Sequence, residues 1–138
     1  MPDPRTAEPA AARSTPGVVG TPRRILQAEG AVLLVAALTT YVVGLDEPWW
    51  WVPLLLFVPD VLMVGYARST RVGAWTYNLA HSYPAPALLG AIALAADTTA
   101  WQGVALVWFA HIGMDRALGY GLKYDTAFTD THLGRIGR

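Results

Sequence analysis

The chain has 138 residues, zero formal net charge, 54% hydrophobic and 14% charged residues, and a mean hydropathy of +0.33. A soluble domain carries about 25% charged residues, so the shortage of charge points to a membrane class. The balanced charge without a basic tract excludes a nucleic-acid partner, and the absence of cysteine leaves only His, carboxylate or water as metal ligands.

Residues 1–22 are rich in Ala, Pro, Thr and Gly without apolar periodicity, which predicts a disordered N-terminal tail. Thr21-Pro22-Arg23-Arg24-Ile25-Leu26 imitates a twin-arginine export signal. Glu29 interrupts the apolar region, however, and no cleavage site follows, which favours an uncleaved first span. Four apolar stretches come next: Ile25–Gly44, Trp50–Tyr66, Ala74–Ala96 and Ala100–Leu118. Each approaches the length of about 20 residues that crosses a hydrocarbon core. In lipid only a helix satisfies its own backbone, and the short connections force antiparallel neighbours. The expected fold is all-α, an up-down-up-down four-helix transmembrane bundle over residues 23–119. Residues 120–138 form a cytoplasmic C-terminal segment able to fold back as a lid. Gly30, Ala36 and Ala37 in the first stretch, with Gly90, Ala91, Ala93 and Ala95 in the third, predict close helix packing.

Basic residues set the orientation. Arg23 and Arg24 precede the first stretch, Arg68 and Arg71 lie in the second connection, and Lys123, Arg135 and Arg138 follow the fourth stretch. The other connections carry Asp46, Glu47 and Asp97. Both termini are therefore expected in the cytoplasm of a multi-pass protein of the cell (inner or plasma) membrane. Trp49–Trp51 and Trp101 would mark the outer interface, and Tyr66, Trp75, Tyr120 and Tyr124 the inner one.

The polar exceptions inside the stretches are Glu29, Asp60, Asn78, His81, His111 and Asp115. Such groups are costly in lipid and usually face a bundle interior. Depth along the helices, at about 1.5 Å per residue, puts all of them in the inner half and predicts a cavity open to the cytoplasm. His111 and Asp115, four apart, share a helical face, as do Asn78 and His81, three apart. Pro59 should disturb the second helix beside Asp60, and Pro84 with Pro86 should kink or unwind the third close to His81. Facing His and carboxylate groups suit a divalent metal such as Zn, Mn, Fe or Ni, with His81, His111 and Asp115 as ligands. Asp60 or Asp115 would act as a ligand or general base, making these two the catalytic candidates. Glu29 and Asn78 are candidates to orient the ligands from behind, and Asp130 and His132 would arrive with the lid. Arg116 is a competing partner for Asp115 or Asp60.

Several ordered motifs also carry a resemblance. Pro59-Asp60 with Gly65-Tyr66, Tyr77-Asn78-Leu79-Ala80-His81, His111-Ile112-Gly113-Met114-Asp115-Arg116, Gly119-Tyr120-Gly121-Leu122-Lys123-Tyr124 and Thr131-His132-Leu133-Gly134 resemble domain-of-unknown-function family 4260 from about Arg24 to Gly137. The resemblance implies a small bacterial-type integral membrane protein. The family brings no established activity, so no site residue is carried over from it.

Three function classes fit these residues. One is a membrane-embedded metal-dependent hydrolase acting on a lipid-linked or membrane-derived substrate. The others are an ion or proton pathway, and a structural or accessory membrane protein whose polar cluster fixes the bundle. A b-type haem between His81 and His111 is a minor fourth reading. The lipid bilayer is the expected partner, and the small-residue faces allow homo-oligomers. Nucleotide loops, nucleophile elbows and zincin helices are absent from the sequence.

Overall fold

The computed structural model describes residues 17–137; residues 1–16, where most of the expected tail falls, lie outside them. The chain is mostly helical. The first helix, α1, runs Gly20–Gly44, starting five residues before the apolar stretch does. It is long and apolar enough to cross a membrane and, among the described residues, is the one helix that meets that standard unaided.

Prolines shape the middle of the chain. Helix α2, Trp51–Leu56, stops where Pro59 removes the N–H that Leu55 would need. The backbone tightens into a 3₁₀ helix, Val58–Ala67, with Asp60 N–H donating to the carbonyl of Phe57 at 3.2 Å. Ten residues is long for a 3₁₀ helix, which seldom exceeds three or four. Ser69 then caps α3, Thr70–Ala80, its Oγ accepting from Val72 N–H at 3.1 Å.

The interruption expected at Pro84 and Pro86 is a full break. α3 ends at Ala80 and α4 spans Pro84–Ala95, with proline in its first turn where the missing N–H costs nothing. Pro84 leaves the Ala80 carbonyl without its helical donor, and Trp108 Nε1–H fills the vacancy at 2.6 Å. α5, Thr99–Leu118, ends on Gly119 at φ 87°, a left-handed cap that glycine adopts without strain. A small antiparallel hairpin follows, β1 (Asp130–Thr131) and β2 (Gly134–Arg135), pairing Asp130 with Arg135 and Thr131 with Gly134. The prolines thus divide the second and third of the four expected helices, giving α1 to α5 and a 3₁₀ helix, and the C-terminal segment adds the hairpin.

α5 is the central element: α1, α2 and α4 all pack on it, while α3 packs on the 3₁₀ helix. α1 and α5 meet backbone to backbone. A Cβ on Gly113 would lie 2.7 Å from Leu34 N and 2.8 Å from Gly30 O. The loops gather at two ends. At one, Val18 N–H donates to the carbonyl of His132, Gln27 to that of Ala117, and Tyr66 meets Phe128 edge-on. At the other, Thr99 donates to Glu47 and Tyr41 to the carbonyl of Pro48.

Candidate metal centre

The lesion at Pro59 and the break at Pro84 both border one buried spot. Asp60 comes from the 3₁₀ helix, His81 caps the C-terminus of α3, and His111 and Asp115 stand a turn apart on α5. His81 Nε2 lies 2.9 Å from His111 Nε2 and 3.3 Å from Asp60 Oδ1; His111 Nε2 lies 3.7 Å from the same oxygen. One ligand atom from each of Asp60, His81 and His111 falls within 4.8 Å of the other two. Asp115 Oδ2 is 3.6 Å from His81 Nε2 and 4.0 Å from His111 Nε2. Both imidazoles are buried, and the Asp60 side chain is 37% exposed.

The hydrogen bonds fix what these atoms can be. His81 Nδ1 lies 2.8 Å from the carbonyl of Tyr77. A carbonyl only accepts, so Nδ1 carries the proton and a neutral ring presents a lone pair at Nε2. That lone pair faces two carboxylates and a second imidazole nitrogen. His111 Nδ1 is buried without a partner among the described residues, so nothing there competes for its tautomer. A shared proton or a cation is needed to hold such acceptors together, and a backbone carbonyl bonded to the far nitrogen is the usual way a ligating histidine is oriented. A triangle with sides of 2.9, 3.3 and 3.7 Å has a circumradius of about 1.9 Å, close to the 2.0–2.2 Å of Zn–N and Zn–O bonds. The three atoms can therefore hold one small divalent ion as they stand.

Asp115 has a different immediate task, accepting from the Tyr77 hydroxyl at 2.7 Å. Tyr77 also stacks on His81, ring centroids 3.6 Å apart. Arg116 forms no ion pair with Asp60 or Asp115 among the described residues. It donates instead to the carbonyl of His81 at 3.1 Å, and its Nη1 lies 3.4 Å from both ring nitrogens of His132. His132 Nδ1 accepts from Leu122 N–H at 2.8 Å, and burial together with the Arg116 charge pushes its pKa below the usual histidine range.

Asn78 sits beside the cluster but serves the backbone, donating to the carbonyl of Lys123 at 2.9 Å and accepting from its N–H at 2.7 Å. Glu29 is exposed on α1 and bonds to no side chain of the cluster; Gly30 turns its own face to α5, leaving Glu29 about 100° away around the helix. Asp130 is bound within the C-terminal segment, accepting from Thr126 at 2.8 Å with Arg135 Nε 3.7 Å away. Among the described residues, then, none of Glu29, Asn78, Asp130 and His132 hydrogen-bonds to a ligand atom; His132 reaches the cluster only through Arg116, which holds the His81 carbonyl.

Two residues absent from the sequence-derived site emerge beside it. One is Tyr77. The other is Lys123, only 5% exposed, with Nζ 4.9 Å from the Tyr77 ring centroid and 4.0 Å from that of Phe128. Burial lowers its pKa to about 8, with Asp115 and Asp60 pulling the other way. Lys123, Tyr77, Asp60 and Asp115 line a cavity of about 540 Å³ together with Phe57, Met63, Met114 and Leu118.

A family model described as a domain of unknown function (DUF4260) matches residues 23–136, almost the whole chain. The chain belongs to that family. No curated protein and no solved structure matches it. Membership in DUF4260 therefore fixes kinship without naming a reaction, and the geometry of Asp60, His81 and His111 carries the functional argument.

Proposed function

We propose that this protein is a multi-pass membrane protein with both termini cytoplasmic and a metal-dependent hydrolase site in the inner half of its helical core. The membrane reading draws on inverted polarity. His81, His111, Asp115, Arg116 and Lys123 are buried, whereas Val32, Val35, Leu54, Val61, Trp75, Leu88 and Leu94 are each more than half exposed. Water does not tolerate so much apolar surface on a monomer, and lipid does. Lengths agree: α1 reaches about 37 Å and α5 about 30 Å at 1.5 Å per residue. The 3₁₀ rise of about 2.0 Å lets the short second stretch, α2 with the 3₁₀ helix, reach about 29 Å. α3 and α4 form the broken third member. Arg23, Arg68, Arg71 and Lys123 gather at one end, and Asp46, Glu47 and Asp97 at the other, which supports cytoplasmic termini.

The single observation behind the metal reading is the convergence of Asp60 Oδ1, His81 Nε2 and His111 Nε2 at ligand spacing with the His81 tautomer fixed. Three protein ligands leave a position for water, as catalytic zinc sites do. The ion would lower the pKa of that water, and Asp115 would take its proton. The oxygen would bond to an acyl or phosphoryl centre as the ester bond breaks, and the departing oxygen would receive the proton. Asp60 fits the ligand role better than the base role, reversing the emphasis of the spacing argument.

The test is metal analysis of detergent-purified protein with His81→Ala and His111→Ala. About one metal per chain, lost in both variants, supports the site. Asp115→Asn should keep the metal and lose zinc-dependent release of products from membrane lipid extract. Protein free of metal after every preparation and after zinc reconstitution would refute the assignment.

A further inference from the structure

The cavity beside the ligand cluster has no assigned occupant, and its walls specify one. We infer that it takes an amphiphile whose anionic head, a carboxylate or phosphate ester, meets Lys123 while its hydrocarbon lies along Phe57, Met63, Met114 and Leu118. This rests on the metal-dependent reading above and names the class of its substrate, a phosphate ester, or of its product, the carboxylate that acyl-ester cleavage releases.

Two observations and one charge argument carry the inference. About 540 Å³ is within the range of small-molecule sites, and most of the wall is hydrocarbon or aromatic. A small water-soluble substrate would gain nothing from such a lining, whereas an acyl or alkyl chain would bury itself along it. Second, Lys123 lines the cavity and, among the described residues, makes no ion pair. The charge of a buried lysine is costly without an anion. The chain nevertheless holds it there: both Asn78 amide bonds clamp the Lys123 backbone, and the Tyr77 and Phe128 rings flank Nζ. Third, charge balance sets the sign of the ligand. With a divalent ion bound, Asp60 and Asp115 would be neutralised and the charge of Lys123 would remain at the cavity wall for an incoming anion.

Binding of dodecyl phosphate, dodecanoate, dodecanol and dodecyltrimethylammonium to full-length protein tests the inference. The protein is placed in phosphatidylcholine nanodiscs, equilibrated with Zn²⁺ and titrated calorimetrically. At least one anionic probe should bind about tenfold or more tighter than dodecanol, the advantage of one charge-assisted hydrogen bond, and the ammonium probe should bind weakest. Lys123→Met should keep its zinc and lose that preference; Lys123→Arg should retain it. Tighter phosphate than carboxylate binding assigns a phosphate-ester substrate, and the reverse a fatty-acid product of acyl-ester cleavage. Equal affinity of the wild type for dodecanol and both anions overturns the inference without recourse to any variant. So does an unchanged preference in Lys123→Met. Anion preference in protein that takes up no zinc would keep the cavity assignment and remove the metal-dependent one; zinc uptake without anion preference would do the opposite.

Discussion

Asp60→Asn should change stability in opposite directions with and without metal. In the metal-free protein the Asp60 and Asp115 carboxylates and two imidazole nitrogens crowd together, with Asp60 Oδ1 3.3 Å and Asp115 Oδ2 3.6 Å from the same His81 nitrogen. Two carboxylates roughly 5 Å apart at an effective dielectric of 20 repel by about 3 kcal/mol. The partial exposure of Asp60 reduces this to about 1 kcal/mol. Removing that charge should therefore raise metal-free stability by about 1 kcal/mol. In the loaded protein the same change removes a ligand. Zinc at a hundred times the wild-type Kd contributes about 2.7 kcal/mol, and a hundredfold weaker site keeps only about 0.4 kcal/mol at the same concentration. For a chain of this size the loss is roughly 10 °C of metal-induced shift in Tm. Thermal unfolding in detergent, run in chelator and across a zinc titration, reads both signs at once. Equal zinc-induced shifts in wild type and Asp60→Asn would refute the ligand assignment. A metal-free variant less stable than wild type would refute the crowding argument.

Other consequences lie away from the ligands. Gly113→Val places side-chain atoms where α1 backbone now lies and should cost about 3 kcal/mol or more by thermal unfolding. Gly90→Ala, whose new Cβ would sit 3.5 Å from that of Ala105, should be neutral or stabilise by up to about 1 kcal/mol through helix propensity. His132 has a lowered pKa, so below about pH 6.5 the unfolded chain binds more protons than the folded one. Its contribution is complete above that pH and is lost on acidification, so hydrogen-exchange protection of Leu122 N–H should fall between pH 7.5 and 5.5. His132→Asn, which still accepts from that N–H, should flatten the dependence.

Much of the site was legible because polar residues stand out against lipid-like sequence. Asp60, His81, His111 and Asp115 are conspicuous for that reason, and the two proline lesions flag where the backbone would open. The division of labour between the two carboxylates was not legible. The i, i+4 spacing ties Asp115 to His111, yet the Tyr77 hydroxyl claims its oxygen. Asp60 is aimed by a 3₁₀ helix, which rotates about 120° per residue instead of 100°, so α-helical projection misdirects it. Lys123 was hidden more deeply: its place depends on two hydrogen bonds to Asn78 across 45 positions, and no local pattern encodes them. The hairpin was missed because its four strand residues are too short a run for any alternation to appear.

The broken helix and the candidate metal ligands are one construction, and α5 joins them. Trp108, His111 and Asp115 recur at three- and four-residue spacing on a single face of α5, with Arg116 beside them. Trp108 and Arg116 satisfy the carbonyls of Ala80 and His81 at the break, while His111 and Asp115 meet the His81 ring that the break projects. Repair of the backbone and placement of the ligand thus come from the same surface. Trp108→Phe should cost about 1–3 kcal/mol by stranding the Ala80 carbonyl, and should also weaken zinc binding about tenfold by letting His81 drift. Gly113→Val is the control, because Gly113 faces α1 from the other side of α5. If the two variants weaken zinc equally for equal loss of stability, the coupling is mere loosening of the fold. A zinc deficit confined to Trp108→Phe means that the lesion in the third stretch exists to hold His81 in place.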